Sequence, residues 1–334
     1  MKDFKGKIAF ITGGGSGAGL GQAKVFAKAG MKVVIADVRR DALHKAVGEI
    51  VEYAGCKVTD VLPLCFDLTD RKAYTEAADT VEKVFGGPPH LLIQTAGVNS
   101  FGPAEASTFD DFDWIVGVCF NHVVNGLVIF VPRMIKAYGG RDGVPKEEFH
   151  VVTTSSMGGF NGMAMTTPYC AAKAAANNLM YSYDEALRPY GGGATVLTPE
   201  NINSNIGNAE KFRPANLHNT GYYVTEGTMK HLMNVHAQGI DPIELALILK
   251  EGIENGRIIV LPYADRSTWK DVLRAQHERI EQYLLTAEER DEIARSLPPF
   301  EIPDLIAIPP EGGERFGMAR KDLDYILPER RPQG

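Results

Sequence analysis

The chain has 334 residues, of which 44% are hydrophobic and 23% are charged, and its 35 glycines are above the usual share. These values exclude a collagen-like chain, a coiled coil and wholesale disorder. The net charge of -7 provides no basic surface for nucleic acid or for an anionic membrane, so neither is expected as a partner.

The longest apolar stretch runs from Ile115 to Val131 and is interrupted by Asn121, His122 and Asn125. Because these polar groups would be unpaired in lipid, the stretch predicts a buried helix. The residues before Lys7 are too few for a secretion signal, so a cytoplasmic location is expected. The four cysteines show neither CxxC pairing nor metal-ligand spacing, which predicts reduced thiols and no metal site.

From Lys7 onward, short β-branched runs alternate with longer amphipathic ones. The short runs predict strands over Lys7–Thr12, Lys32–Asp37, Val61–Asp67, Leu91–Thr95, His150–Ser155, Ala194–Thr198 and Arg257–Pro262. The longer runs predict helices over Gly19–Ala29, Asp41–Ala54, Asp70–Phe85, Phe109–Tyr138, Pro168–Tyr190 and Pro242–Asn255. Since most of the strands are continuously apolar, the pattern predicts an α/β fold, a Rossmann-type doubly wound parallel sheet of about seven strands with helices on both faces.

Two segments fall outside this alternation. Asn201–Gly239 is rich in Asn, His, Tyr and Met and is interpreted as a flap over a pocket. The second segment, 264–334, has helical patterns over Thr268–Leu285 and Ala287–Ser296, followed by a proline-rich tail. We therefore expect one catalytic domain over 1–263, and an extension over 264–334 that packs on this domain or on a neighbouring subunit and is not an independent domain.

The sequence TGGGSGAG, Thr12–Gly19, lies between the first strand and the first helix. Glycines there let backbone N–H groups approach a pyrophosphate at the positive end of the helix. Asp37 lies 20 residues after Gly17 at the end of the second strand, where an acid binds ribose hydroxyls and repels a 2′-phosphate. The pattern predicts dinucleotide binding, with NAD favoured over NADP, and Arg39 and Arg40 are expected to be solvated charges.

Tyr169 and Lys173 are four positions apart on a predicted helix, so they share one face. A nearby ammonium and an oxidised nicotinamide would both favour the phenolate and lower the pKa of Tyr169 toward the working range. Ser156, at the end of the fifth strand, can hydrogen-bond the substrate oxygen. The three residues predict acid–base chemistry on an alcohol or a ketone.

Together with Ala96, Gly97 and the Pro199 segment, these motifs resemble the short-chain dehydrogenase/reductase family over residues 1 to about 263. The resemblance implies that Tyr169 is the general acid/base, that Lys173 holds the nicotinamide ribose and that Ser156 orients the carbonyl or carbinol. It implies a homodimer or homotetramer formed through the two long helices. It also implies the following cofactor-binding residues: Thr12, Gly13, Gly15, Ser16, Gly17, Gly19, Asp37, Val38, Asp67, Leu68, Ala96, Gly97, Tyr169, Lys173, Pro199, Ile202 and Ser204.

The sequence departs from the family pattern at three positions. Thr95 replaces an Asn that ties two strands together, and Glu200 replaces a Gly. Cys119 occupies the position of the family's catalytic Asn, which kinks the long helix so that a main-chain carbonyl can hold a water linked to the lysine. Cys119 retains this function if the kink survives. A thiol nucleophile at Cys119 is disfavoured because no activating base is evident.

The loops after strands four, five and six are rich in aromatic rings and thioethers, which suit a bulky, partly aromatic ligand. Lys211 and Arg213 are too few for a highly anionic substrate, although either can meet one carboxylate. The candidate substrate residues are Asn99, Phe101, Phe160, Asn161, Met165, Phe212 and Tyr222.

TAGVNSFGP at Thr95–Pro103, DDFDW at Asp110–Trp114, FVPRM at Phe130–Met134 and NINSNI at Asn201–Ile206 resemble the bacterial Cα-dehydrogenases of lignin β-aryl ethers. That resemblance implies oxidation of a benzylic secondary alcohol to an aryl ketone with NAD, or the reverse reaction. Two alternatives remain open: a catalytically weakened member that senses the dinucleotide or binds a partner, and a non-redox lyase or epimerase on the same scaffold.

Overall fold

The computed structural model describes residues 1–217, 221–222 and 224–262 and the single positions 274 and 292. The chain divides into two compact units, Met1–Val272 and Leu273–Gly334. Apart from positions 274 and 292, the predicted helices over 268–285 and 287–296 and the proline-rich tail lie outside the described residues.

The described part of the first unit contains a seven-stranded sheet in which each strand pairs in parallel with its neighbours. The order β3-β2-β1-β4-β5-β6-β7 places β1 and β4 side by side, where the direction of winding changes. This topology confirms the predicted doubly wound fold. The strands are β1 Ile8–Thr12, β2 Lys32–Asp37, β3 Val61–Cys65, β4 Leu91–Gln94, β5 His150–Thr154, β6 Gly193–Leu197 and β7 Ile259–Val260.

Helices cover both faces of the sheet. They are α1 Gly17–Lys28, α2 Arg40–Ala54, α3 Arg71–Phe85, α4 Phe109–Val116, α5 His122–Tyr138, α6 Thr167–Leu187, α7 Glu226–Ala237 and α8 Pro242–Glu254. A π-helical turn, Gly117–Asn121, joins α4 to α5, so the predicted long helix is continuous but changes its winding. Helix α7 lies within the segment that the sequence indicated as a flap and was not predicted as a helix.

The strand residues alternate between two apolar cores. Along β1, Ala9 and Ile11 pack against α1, α2 and α8, whereas Ile8 and Phe10 pack against α3, α5 and α6. Burial on both faces explains why the strands read as continuous apolar runs. The helical stretch Phe109–Tyr138 is long and apolar enough to cross a membrane, with a mean hydropathy of 1.9. Its buried apolar residues in α5 pack in the second core, with those of α3 and α6, which agrees with the predicted buried helix.

Candidate active site

A cavity of about 870 Å³ lies at the carboxyl ends of the strands. Its walls come from the loops after β1 to β6, from the start of the long helix and from α7. The predicted cofactor and catalytic residues that line it are Gly13, Ser16, Gly17, Gly19, Asp37, Val38, Asp67, Leu68, Ala96, Gly97, Ser156, Tyr169, Lys173, Pro199, Ile202 and Ser204. Thr12, Gly15 and Cys119 are placed behind these walls and contact residues that line the cavity.

The turn after β1 leaves no room for side chains. Gly13 and Gly17 have φ angles of +68° and +52°, which favour glycine. A Cβ atom on Gly19 would lie 2.3 Å from the carbonyl oxygen of Gly13, and one on Gly17 would lie 2.9 Å from Ser204 Cβ. Because α1 begins at Gly17, its N-terminal N–H groups face this crowded turn. The cradle fits a pyrophosphate approached by backbone alone.

Asp37 lies at the end of β2 beside this turn, and its carboxylate is fully engaged. It accepts a hydrogen bond from the Gly15 N–H at 3.2 Å and forms an ion pair with Arg39, whose Nε and Nη2 donate to it at 3.0 Å. Arg39 also donates to Ser16 Oγ at 2.8 Å and lies over the Phe212 ring. The prediction that Arg39 is a solvated charge was wrong, because the carboxylate of Asp37 draws the guanidinium against the cavity wall.

Thr95 connects the neighbouring strands, as the Asn that the family usually has at this position does. Its hydroxyl donates to Gln22 Oε1 at 2.6 Å and lies 2.7 Å from the hydroxyl of Thr154, at the end of β5. Its N–H donates to the Thr12 hydroxyl at 2.8 Å. Three short polar side chains therefore connect β1, β4 and β5 where the cavity begins.

Ser156, Tyr169 and Lys173 meet at the inner end of the cavity. The Ser156 hydroxyl accepts from the Gly158 N–H at 3.1 Å, and Ser156 lies near enough to the Tyr169 phenol to influence its pKa. The Lys173 ammonium donates to the Thr154 carbonyl at 2.7 Å and lies 5.4 Å from the centre of the Tyr169 ring. Tyr169 and Lys173 are 8% and 3% exposed, so both polar groups face a largely dry site.

Burial dominates the electrostatics of this site. It raises the pKa of the Tyr169 phenol, an effect that Cys119 strengthens and Ser156 opposes. Burial also lowers the pKa of the Lys173 ammonium. In the protein by itself, the predicted lowering of the Tyr169 pKa is therefore outweighed by desolvation.

Cys119 lies at the centre of the π-helical turn and is fully buried. Its thiol donates to the Val98 carbonyl at 3.1 Å and accepts from the Val98 N–H at 3.4 Å. A Cβ atom on Gly97 would lie 3.8 Å from the Cys119 sulfur and 3.7 Å from Lys173 Nζ, so both groups border the same glycine. Burial raises the pKa of the thiol, which opposes nucleophilic chemistry. The π-helical turn interrupts the regular winding of the long helix at Cys119. The irregularity that the family's Asn usually provides is therefore present without that Asn.

His122 follows this turn and was not identified as a site residue. Its Nε2 atom lies 3.3 Å from the Thr12 hydroxyl, and burial together with the nearby Lys173 lowers its pKa to about 3. A neutral imidazole therefore connects the long helix to the end of β1. The available signal was a histidine inside an otherwise apolar stretch, which sequence reasoning used only against a membrane span.

The other half of the cavity is walled by apolar and aromatic side chains, including Val98, Trp114 and Val118. Of the predicted substrate residues, Asn99, Phe101 and Phe212 line it. Phe160, Asn161 and Met165 are not part of its lining, and Tyr222 is 1% exposed and packs behind it. Arg213, considered as a partner for a substrate carboxylate, pairs with Asp111 inside the protein.

Comparisons with known proteins agree with this geometry. The family model for short chain dehydrogenases matches residues 7–213. The chain is 51% identical over 265 residues to the C alpha-dehydrogenase of Sphingobium sp. strain SYK-6, a match that covers 79% of this chain and 83% of that protein.

Solved structures show the same likeness. The apo form of LigD from Sphingobium sp. strain SYK-6 has 41% sequence identity and a TM-score of 0.64, over 89% of this chain and 100% of that one. A short chain dehydrogenase/reductase from Burkholderia phymatum in complex with NAD has 27% identity and a TM-score of 0.73, over 90% of this chain and 99% of that one.

Proposed function

The chain belongs to the short chain dehydrogenase family and is an oxidoreductase that acts on alcohol groups, and we propose that it oxidises a bulky benzylic secondary alcohol to an aryl ketone, or the reverse, using NAD. One observation carries the proposal. Ser156, Tyr169 and Lys173 share a single cavity with the glycine turn on one side and an aromatic wall on the other. The 51% identity to a C alpha-dehydrogenase supports the choice of alcohol.

The residues present fit a nicotinamide dinucleotide. The glycine cradle suits its pyrophosphate, and the cavity passes from Asp37 to Tyr169, as a dinucleotide spanning both sites requires. The Asp37 carboxylate favours NAD, since it would bind ribose hydroxyls and repel a 2′-phosphate. Arg39 would leave Asp37 when those hydroxyls bind.

Bound NAD would supply the acceptor for the hydride that leaves the carbinol carbon. The other tasks fall to this chain's own side chains. Tyr169 takes the proton from the alcohol oxygen, and Ser156 holds that oxygen by a hydrogen bond as its charge changes. Lys173, fixed by the Thr154 carbonyl, keeps a positive charge near the phenol and favours its ionised form.

The charges around the cavity favour a neutral substrate. In the described residues, the cavity lining includes one arginine, Arg39, and one lysine, Lys173. Arg39 donates to Asp37, and Lys173 donates to the Thr154 carbonyl, so both cations already have partners. Asp113 and Glu200 also line the cavity and are exposed. A substrate carboxylate would meet these acids without a free cation, so an uncharged aromatic alcohol fits better.

The long helices also bear on assembly. We propose a cytoplasmic homodimer or homotetramer formed through α5 and α6, as the family resemblance implies. Light scattering on the purified chain measures the oligomeric state directly.

The decisive experiment is a screen of neutral and carboxylated benzylic alcohols and aryl ketones with NAD and with NADP, followed by the absorbance of the reduced cofactor. We expect turnover of neutral benzylic alcohols with NAD, and a loss of about a thousandfold in Tyr169→Phe with cofactor binding retained. Cofactor binding without turnover of any alcohol or ketone would favour the sensor alternative. Substrate conversion without accumulation of reduced cofactor would indicate a lyase or an epimerase.

A further inference from the structure

A buried ion pair lies behind the aromatic wall of the cavity and is not part of the chemistry above. Arg213 Nη2 donates to Asp111 Oδ1 at 2.6 Å, and both side chains are 0% exposed. Neither residue lines the cavity. Removing two charges from water is expensive, so the pair must be held by further polar contacts.

Asp111 belongs to the first turn of α4 and its carboxylate is saturated. It accepts from the N–H and hydroxyl of Thr108 at 2.8 and 3.1 Å, and from the Tyr222 N–H at 3.2 Å (Oδ1) and 3.1 Å (Oδ2). A Cβ atom on Gly221 would lie 2.0 Å from its Oδ2 atom. The start of α4 is thus joined to the backbone at 221–222, more than 100 residues further along the chain.

Arg213 extends the network to two other segments. Its Nη1 atom donates to the Tyr222 carbonyl at 3.2 Å and lies 3.5 Å from Glu210 Oε1, while Ser100 donates to Glu210 Oε2 at 2.9 Å. Its guanidinium lies 5.2 Å from the centre of the Trp114 ring, which lines the cavity. The segment after β6 is therefore fixed to the loop after β4 and to α4.

Packing reinforces these bonds. The Tyr222 ring lies against Gly102, where a Cβ atom would come within 2.4 Å of Tyr222 Cδ1. The loop that carries Ser100 and Gly102 also contributes Val98 and Phe101 to the cavity, and the segment that carries Arg213 contributes Phe212 and Pro214. Ala209 of the same segment packs in one cluster with Trp114 and Tyr169. The network therefore supports the cavity walls around Tyr169, here called the alcohol half, although neither Arg213 nor Asp111 lines the cavity.

We propose that the Arg213–Asp111 pair is a positioning latch that sets the width of the alcohol pocket by holding residues 206–214 against α4. The proposal rests on the proposed function only in taking the ligand of this half to be the alcohol. Phe212 of this segment also lies over Arg39, which donates to Asp37 and to Ser16 of the glycine turn. Opening the latch is therefore expected to change alcohol recognition strongly and dinucleotide affinity to a smaller extent.

The test compares Arg213→Met with the native chain and with Arg133→Met. Arg133 pairs with Asp79 and Glu82 on the outer helices, so this control removes an ion pair away from the cavity. We expect Arg213→Met to raise amide exchange over residues 205–217. The KM of a bulky aromatic alcohol should rise about tenfold or more, while the kcat for a small secondary alcohol stays at the native value. The Kd of NAD should change by a smaller factor than the KM of the bulky alcohol, and Arg133→Met should leave all four quantities unchanged.

Arg213→Lys keeps the charge but not the fork that reaches both Asp111 and Tyr222, so its KM should lie between those of the native chain and Arg213→Met. Should Arg213→Met fail to fold, Asp111→Asn removes one charge with little change in shape and carries the same expectations. A variant that lowers the Tm but leaves KM and amide exchange at native values overturns the latch, as does a loss of NAD affinity as large as the rise in KM. If the native chain neither oxidises an alcohol nor reduces a ketone, the proposed function fails, and amide exchange still decides whether the latch holds this wall.

Discussion

At the glycine turn the cavity wall is formed largely by backbone, whereas around Tyr169 it is formed by side chains from separate segments. The first half of the cavity places the N-terminus of α1 against Gly13 so closely that a methyl group on Gly19 would lie 2.3 Å from a carbonyl oxygen. The second half places Val98, Trp114 and Ala209 around the catalytic Tyr169. The surface at the glycine turn is formed directly by the turn between β1 and α1. The surface around Tyr169 depends on contacts between segments that lie far apart in the sequence.

This difference indicates how each half can vary. A backbone cradle has a fixed shape, so it suits a ligand part that is always the same, and it tolerates almost no added volume. A side-chain wall supported by the Arg213–Asp111 pair can change its lining residues while its frame persists. We infer that substrate choice can change in this protein without altering dinucleotide binding.

The largest expected effect comes from one methyl group in the cradle. Gly19→Ala forces the turn to move, so NAD affinity should fall roughly 100-fold, or about 2.7 kcal/mol, by titration calorimetry. Gly48→Ala is the matched control, because a Cβ atom there meets nothing within 4 Å on helix α2. The control should bind NAD normally and gain about 0.5–1 kcal/mol of stability from its helix position. Native NAD affinity in Gly19→Ala would show that the cradle is not the pyrophosphate site.

The same difference explains what the sequence could predict. The strands are continuous apolar runs because both faces are buried, and the glycine turn is a local pattern between a strand and a helix. Asp37 follows at a spacing that the strand–helix–strand geometry imposes. The fold and the cofactor half were therefore accessible from neighbouring residues.

The alcohol half depends on pairs that lie far apart in the sequence. Asp111 and Arg213 are 102 positions apart, and neither has a local pattern that marks it as buried. Tyr222 was predicted to face the substrate, but it packs against Gly102 instead. Helix α7 also escaped prediction, although Met229, Leu232 and Met233 have helical spacing, because its segment was interpreted from composition as a flap.

Cys119 lies behind the cavity wall, next to Gly97 and close to Lys173, and its variants test whether the π-helical turn affects catalysis without affecting NAD binding. Cys119→Ala removes both bonds to Val98, so kcat should fall about tenfold, since those bonds fix the turn beside Lys173. Cys119→Ser keeps a donor and an acceptor and should stay within about threefold of the native kcat. NAD affinity, measured separately, should hold in both variants.

Cys119→Asn introduces the side chain that the family usually has at this position. Because the π-helical turn is already formed with cysteine, we expect no large gain in kcat. A large gain with an unchanged fold would mean that the native proton relay is impaired. An unchanged kcat in Cys119→Ala would mean that the turn does not need the thiol.

The smallest effect on either half is expected from His150, which lies in the sheet beneath both. Its Nε2–H donates to the Thr195 hydroxyl at 2.8 Å, and burial lowers its pKa to about 3. The unfolded chain, with a histidine pKa near 6.5, binds more protons between pH 6.5 and 3, so stability falls as the pH is lowered through that range. The slope for one such histidine is about 1.4 kcal/mol per pH unit.

His150→Gln keeps a donor for Thr195 but cannot titrate, so urea unfolding between pH 7.5 and 5 should show a shallower loss of stability than in the native chain. His44→Gln, on the exposed face of α2, is the control and should leave the slope unchanged. His122, also shifted to about 3, should preserve part of the slope in His150→Gln. NAD affinity and alcohol KM at pH 7.5 should not change, because a uniform loss of stability in the sheet favours neither half. A selective change in one of them would mean that the two halves are coupled through β5.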